Sequence, residues 1–438
     1  MSDPLLPNLP TVPPPEPLTA EGRQTEPRYE GPNRAQVELY PCDLETLLPL
    51  DHAARLVWRF VEGLDLKRFY DAIRAREGGP GRAPIDPRVL IALWLYATID
   101  GVGSAREVER LCDRHDAYRW IRGGVSVNHH TLSDFRVQYR EALDDLLTQS
   151  IAVLIKRRVV TLARVAQDGT KVRASAGIRS FRRRPTLDEA LRLARQQVER
   201  TARQDDGAAS SRQAAAQARA AAEHVARVEA ALAELPAVEA AKARKKSTAP
   251  PRASTTDPEA RVMKLSDGGF RPAYNVQFAT DVESRVIVGV AVTNVGNDHG
   301  ELGPMLGQLR RRSGQAPATA LVDGGYVTRD VITAAAAGGV TIYAPVQKPK
   351  GDRDPATACR GDSPAVAAWR TRMATAEAKA MYRARAATAE WVNADTRTHR
   401  TLGPLLVRGL GKVHAWVLWI ALAHNMMRTM GIVPHRMM

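Results

Sequence analysis

Three carboxylates stand where a polar site can form. Asp168 closes a short apolar, β-branched run in RVAQDGTKVRA and is followed by Gly169. Asp323 closes a second such run in ATALVDGGY, where Gly324 and Gly325 permit a tight turn and close approach of a substrate. The body of a sheet is apolar, and ligands of open α/β sheets bind at strand ends. Two carboxylates held close repel each other and protonate unless a cation lies between them. A divalent ion resolves that conflict, and hard oxygen ligands suit Mg²⁺ or Mn²⁺. The helical segment AKAMYRARAATAEWVNADTRTHR supplies a third acidic residue, Glu390. At about 100° per residue, Arg397 falls within roughly 20° of Glu390, while Tyr382 and Arg385 share a face a little over two turns earlier. Cations beside a metal-binding carboxylate can grip phosphates.

Other polar residues read as structural. Asp257, Asp281 and Asp298 are reserve carboxylates, and Asp257 in STTDPEAR sits in a cap or turn context. His129 and His130 lack a third ligand at useful spacing, so they read as capping or packing residues. Trp391, next to Glu390, reads as core, with stacking on a base as the functional alternative.

The elements that must position these groups follow from periodicity. Helical spacing of apolar residues runs from Asp51 to about Ile155, strongest in DHAARLVWRFVEGL, PRVLIALWLYATID and EALDDLLTQSIAVLIKR. Between them, SAREVERLCDRHDAYRWIRGG and VSVNHHTLSDFRVQYREAL give short helices around a glycine break. That outline fits a DNA-binding helix-turn-helix or plain helical packing and dimer contact. Five strands are expected: one ending near Asp168, a neighbouring pair in PAYNVQFATD and RVIVGVAVTN, then ATALVDGGY and GVTIYAP. Helices follow each of the last three, giving β-(insert)-β-β-α-β-α-β-α, a mixed α+β or α/β sheet flanked by helices, with the first and fourth strands adjacent. The insert at about 180–250 reads as a helical hairpin over 186–235 broken at Asp205–Ser211, then a flexible basic connector in AKARKKSTAPPRAS. Its role is a solvated hairpin or a DNA-contacting arm.

Composition limits the partners. The 438 residues carry a formal charge of +15, which calls for nucleic acid or an anionic membrane surface. No apolar run reaches the roughly 18 residues of a membrane span, and there is no basic amphipathic helix with a bulky apolar face. MSDPLLPNLPTVPPPEPL is proline-rich and acidic and reads as no secretory signal. Cys42, Cys112 and Cys359 form no CxxC pair, which argues against a disulfide framework or zinc site. Hydrophobic residues make up 44% of the chain, enough for a packed core, while 1–38 reads as a disordered tail. A cytoplasmic protein meeting nucleic acid is the expected class.

Taken together, QDGTK, LVDGGY and Tyr382-x-x-Arg385-x-x-x-x-Glu390-x-x-x-x-x-x-Arg397 resemble the DDE transposases of bacterial insertion sequences with a Tyr-Arg-Glu-Lys signature. STTDPEARVMK and VRGLGKVHAWVLWIALAHNMMR extend the resemblance over about 39–428. Two features depart from it: Arg397 stands where lysine is usual, and the Arg385–Glu390 gap is one residue longer than the commonest form. The resemblance implies a helical DNA-binding and dimerisation domain at 39–158 and an RNase H-like catalytic domain at 159–438. It implies two Mg²⁺ or Mn²⁺ ions on Asp168, Asp323 and Glu390. Tyr382, Arg385, Arg397, Lys171 and Arg400 would contact DNA. The implied reaction is cleavage at terminal inverted repeats and joining of the freed end to target DNA by a homodimer at the nucleoid, with no membrane partner. A nuclease of the same fold and a regulatory DNA-binding relative remain alternatives.

Overall fold

The computed structural model describes residues 43–73, 83–203, 211–244, 246–347 and 354–431, so the expected tail at 1–38 lies outside the described residues. Apolar periodicity builds the first part of the chain into α1 (Ala53–Glu62), α2 (Lys67–Asp71), α3 (Pro87–Ile99), α4 (Ala105–Arg114), α5 (Asp116–Arg122), α6 (His129–Gln138) and α7 (Arg140–Lys156). Capping sets their starts. The Asp86 side chain accepts from Arg88 N with Pro87 in the first turn of α3, and Asn128 accepts from Thr131 N at α6. His129, at the start of α6, pairs through Nδ1 with Glu109 at 2.7 Å and serves packing, as its context indicated.

The chain then changes period. β1 (Arg164–Arg173) leads through β2 (Phe181–Arg182) into the hairpin α8 (Arg184–Arg203) and α9 (Ser211–Arg244), followed by β3 (Ala253–Ser254) and β4 (Arg261–Lys264). The insert differs from its sequence reading at its far end. Pro236 lies inside α9, and the segment expected as a connector is helical to Arg244. A proline removes one backbone donor; here Leu235 and Val238, both buried, hold the helix through it. The end of the expected connector is also ordered, since Ala253 pairs with Arg182.

β5 (Phe270–Asp281) and β6 (Ile287–Thr293) form a hairpin; α10 (Leu302–Ser313), β7 (Thr319–Leu321), α11 (Arg329–Ala337) and β8 (Thr341–Tyr343) complete the alternation. The sheet runs β4-β5-β1-β7-β8 with β6 also on β5, so the first and fourth of the five main strands are neighbours, as expected. β1 is antiparallel to β5 and parallel to β7, making the sheet mixed. The tail carries α12 (Pro364–Ala374), α13 (Ala376–Arg385), a π turn over Ala386–Glu390, α14 (Trp391–His399) and α15 (Leu410–Met430).

α15 is apolar on every side because it is central. Nearly every residue from Val413 to Met426 is buried, and the helix packs on α3, α6, α7 and β6. Trp416 meets Trp94 of α3 edge-on at 5.7 Å, Arg136 of α6 lies over both rings, and Trp419 Nε1 donates to the Arg136 carbonyl at 3.0 Å. The N-terminal helices thus share one apolar core with α15 and the β5–β6 side of the sheet. Among the described residues no helix is long and apolar enough to cross a membrane.

This centrality sets a stability contrast. Trp419→Ala should lower the unfolding free energy by about 3–5 kcal/mol. Leu406→Ala, at a residue 58% exposed, should change it by less than ~0.5 kcal/mol. Equal shifts in urea midpoint would show that α15 is not the core element described.

Candidate active site

The parallel pairing of β1 with β7 sets the first part of the site. Val165 faces Ala320 and Ala166 faces Leu321, and the same register carried two residues further brings Asp168 and Asp323 to one edge of the sheet. Neighbouring strands lie about 4.8 Å apart, so both residues belong to one locality. Asp323 caps the short 3-10 turn Gly324–Tyr326, its carboxylate accepting from Gly324 N at 2.6 Å, and it is exposed.

The second part is a continuous helix. α13, the π turn and α14 keep right-handed helical dihedrals through Arg385, Ala386, Glu390 and Trp391. A π turn closes i→i+5 hydrogen bonds, so residues five apart stack as residues four apart do in an α-helix. Arg385 and Glu390 are five apart and bracket this turn. Arg385 Nη2 donates to Asp168 Oδ1 at 2.8 Å, and Asn393 Nδ2 donates to Asp168 Oδ2 at 3.0 Å. An open cavity of ≈ 810 Å³ is lined by Asp168, Lys171, Asp298, Glu390, Asn393 and Arg397 among others. Glu390, Asn393 and Arg397 reach it from one helix face, as i, i+3 and i+7 spacing requires.

Asp298 enters from the loop after β6 and fills the room left by a missing side chain. Its Oδ1 accepts from Asn275 Nδ2 at 2.8 Å and Gln277 Nε2 at 2.7 Å, both on β5. A Cβ on Gly169 would overlap Asp298 Oδ1 and Gln277 Nε2 and would lie 2.9 Å from Asn275 Oδ1. Buried Tyr326 donates to Gln277 Oε1 at 2.6 Å, extending the polar layer under Asp298. Burial pushes the Asp168 carboxyl above the usual carboxylate range; Arg385 and the Gly169 amide pull it down, and Asp298 pushes it further up. Tyr382 is likewise raised, first by burial, with Asp323 and Asp168 adding to the effect against Arg385. Arg385 is buried too, yet the carboxylates of Asp168 and Asp323 and the Tyr382 phenol keep it charged.

The donor set is all carboxylate, the chemistry a hard divalent cation needs, and Asp168 sits where burial leaves its negative charge short of solvation. As the side chains stand, no group of three His, Cys, Asp or Glu among the described residues is close enough to hold an ion. The counter-charge on Asp168 is Arg385.

Other expected residues are placed variously. Lys171 and Arg397 line the cavity, and Tyr382 lies beside Arg385 against the apolar cluster of α11, α12 and β8. Arg400, expected at DNA, is 2% exposed, donates to the Ile99 carbonyl and pairs with Asp395, so it ties α14 to α3 and faces away from solvent. Trp391, expected in the core, is 37% exposed. Asp257 is buried, accepting from Tyr274 Oη and Gly409 N, and Asp281 holds the turns at Leu162 and Ser284. Asn393 was not anticipated. Its place three residues past Glu390 on the same face was the available signal.

Residues 42–138 match the family model described as Transposase domain (DUF772), and residues 357–430 match the one described as Transposase DDE domain. No curated protein and no solved structure matches the chain. The two domains define a transposase that acts in DNA transposition. Its DDE domain makes it a DDE-type enzyme that cleaves and transfers DNA strands, of a class that uses divalent metal ions.

Two outcomes follow from this geometry. Gly169→Ala should displace Asp298 from its amide donors and cost about 1–3 kcal/mol, as overpacking does. Adding Asp298→Ala should recover part of that loss, and strictly additive effects in a double-mutant cycle would contradict the contact. A raised folded pKa on an acid means the native state binds more protons than the unfolded one, so ionisation of Asp168 removes stability as pH rises. Hence the stability of Asp168→Asn relative to the parent, in EDTA, should increase from about pH 4 to about pH 8. A difference flat with pH would remove that electrostatic account.

Proposed function

We propose that Asp168, Asp323 and Glu390 are the acidic triad of an RNase H-like catalytic domain covering residues 159–438. The observation that carries this reading is the register that sets Asp168, in β1, and Asp323, just past β7, on adjacent parallel strands beside a helix whose π turn lies between Arg385, bonded to Asp168, and Glu390. The strand order β6-β5-β1-β7-β8, with β5 alone running against the others, supports the same reading. The helices of 39–158 form a DNA-binding and dimerisation domain, and α8–α9 is an insertion of about 180–250 between β1 and β5.

Asp168, Asp323 and Glu390 would hold two Mg²⁺ or Mn²⁺ ions, which when bound lower the cost of forming the attacking oxygen and of releasing the leaving oxygen in an in-line phosphoryl transfer. The chain's own side chains do the rest. Arg385 neutralises Asp168 in the resting protein and, once the carboxylate has a metal partner, is free to turn to a phosphate oxygen. Asn393 fixes the orientation of Asp168 through its other oxygen. Lys171 and Arg397 border the cavity and, with Tyr382, hold the phosphates beside the cut. The signature is therefore Tyr382-Arg385-Glu390 with Arg397 in the lysine position, where a guanidinium keeps the charge and adds a planar, bidentate fork. Water attacks the phosphodiester at the transposon end and frees a 3′-hydroxyl. That hydroxyl then attacks a target phosphodiester and releases the target's own 3′-hydroxyl, so the target strand is cut and joined in one exchange. A homodimer holds the two terminal inverted repeats together during these steps.

Asp323→Asn and Glu390→Gln are each expected to reduce cleavage of an end-bearing duplex to below about one hundredth of the parent rate while leaving duplex binding in place. Retained cleavage in either variant removes that residue from the triad. Pre-cut ends separate joining from hydrolysis: joined products support a transposase site, and hydrolysis alone would mark a nuclease.

A further inference from the structure

Trp391 presents its ring on a different helix face from Glu390, about 100° further round. Two guanidiniums lie on that ring: Arg285 Cζ is 5.1 Å and Arg428 Cζ 5.4 Å from its centroid. Neither arginine makes an ion pair among the described residues, since Glu283 in the same turn is taken by Arg164 at 2.7 Å. Arg428 reaches only the Ser284 carbonyl, at 3.4 Å. Two cations gathered on one half-exposed indole, neither in an ion pair among the described residues, make a concentrated positive surface.

The place is built rather than accidental. Arg285 sits in the β5–β6 turn with φ 58°, a left-handed conformation unusual for a residue with a side chain. The turn is fixed by Asp281, which accepts from Ser284 N and Oγ. His424 of α15, 1% exposed, contacts the Arg285 carbonyl through Nε2 at 2.9 Å and Asp395 of α14 through Nδ1 at 3.2 Å. Burial opposes charge on Asp395, yet the bond to His424 and the nearby Arg400 hold its carboxyl below the usual range. His424 also packs edge-on to Trp391 at 5.8 Å. One buried couple therefore sets the positions of the turn, the terminal helix and the helix bearing Glu390, and with them half-buried Arg285 and exposed Trp391 and Arg428.

We propose that Arg285, Trp391 and Arg428 form a second DNA contact, gripping one or two successive phosphates of the strand that runs past the catalytic cavity. The planar guanidiniums suit bidentate phosphate binding, and the indole attracts both without neutralising them. Its place beside the cut rests on the triad reading; the phosphate contact itself does not.

The test is binding of the full chain to a synthetic duplex of arbitrary sequence, in EDTA so that no strand is cut, over a series of salt concentrations. Replacing both arginines (Arg285→Ala with Arg428→Ala) should lower the slope of log K against log salt by about 2, with affinity down on the order of tenfold near 0.15 M salt. The lysine pair (Arg285→Lys with Arg428→Lys) should keep most of the slope, which separates lost charge from lost fold. A scan of neutral methylphosphonate linkages should show one or two positions that weaken the parent and leave the alanine pair unaffected. An unchanged slope together with an unchanged scan in the alanine pair overturns the contact. The arginine contact is read from binding in EDTA and the triad from cleavage by Asp323→Asn and Glu390→Gln with a divalent ion present, so failure of the one and failure of the other are read separately.

Discussion

Asp168 carries a charge on an inner strand of the sheet, where water reaches it poorly, and much of the tail is arranged around that fact. A carboxylate placed there is stable only with hydrogen bonds or a counter-charge. Both come from the same helix: Arg385 takes one oxygen and Asn393 the other, more than two hundred residues along the chain. The bonds lie on either side of the π turn, so the helix is pinned to β1 at two points. With the helix pinned, Glu390 and Arg397 can face only the cavity that Asp168 opens on. The same charge deficit that demands Arg385 makes the position attractive to a divalent cation.

The opposite face of that helix is tied down by different chemistry. Val392 and Thr396 are buried, and Asp395 binds His424 and Arg400, joining α14 to α15 and α3. α15 is in turn gripped by α3, α6 and α7 through tryptophans whose polar edges find backbone carbonyls, Trp94 on Leu132 and Trp419 on Arg136. The N-terminal helices are thereby connected to the helix bearing Glu390 through a rigid apolar member. DNA held by those helices would be held at a fixed offset from the cavity, because packed cores deform little.

The five main strands and the adjacency of the first with the fourth were readable because alternation and glycine-bounded apolar runs are local signals, whereas the short β4 was not read as a strand and β1 runs on past Asp168 to Arg173 instead of ending there. α15 was readable as core from apolarity alone. What escaped depended on orientation. Arg400 and Arg397 look alike in sequence, but three residues on a helix turn one toward α3 and the other toward solvent. Trp391 has the composition of a core residue, and only the surrounding arginines show why it is left half exposed. Asp298 was one reserve carboxylate among three, and nothing in NDHGEL reveals that Gly169 leaves room for it from across the sheet. The helix through Pro236 was missed because a proline marks a local cost, whereas the burial of Leu235 and Val238 that offsets it is tertiary.

The π turn decides how Arg385 and Glu390 are aligned along the helix. In an unbroken α-helix, five residues advance about 500°, which would leave Glu390 roughly 140° away from Arg385. One of the two would then point away from Asp168, and the other would face it without its partner. Widening one turn restores the alignment without moving either end of the helix off its anchors, Asn393 on one side and the Arg385 ion pair on the other. The cost is a poorer turn at Ala386–Glu390, where small side chains at Ala386, Ala387 and Ala389 leave room for the wider loop of backbone. Bulging is therefore the cheaper response than rotating the helix, because rotation would turn Trp391 and Asp395 away from His424 and break the face that the core depends on. The two faces of one helix, Asp168 bound on one and the buried anchorage on the other, make the widened turn the arrangement that satisfies both.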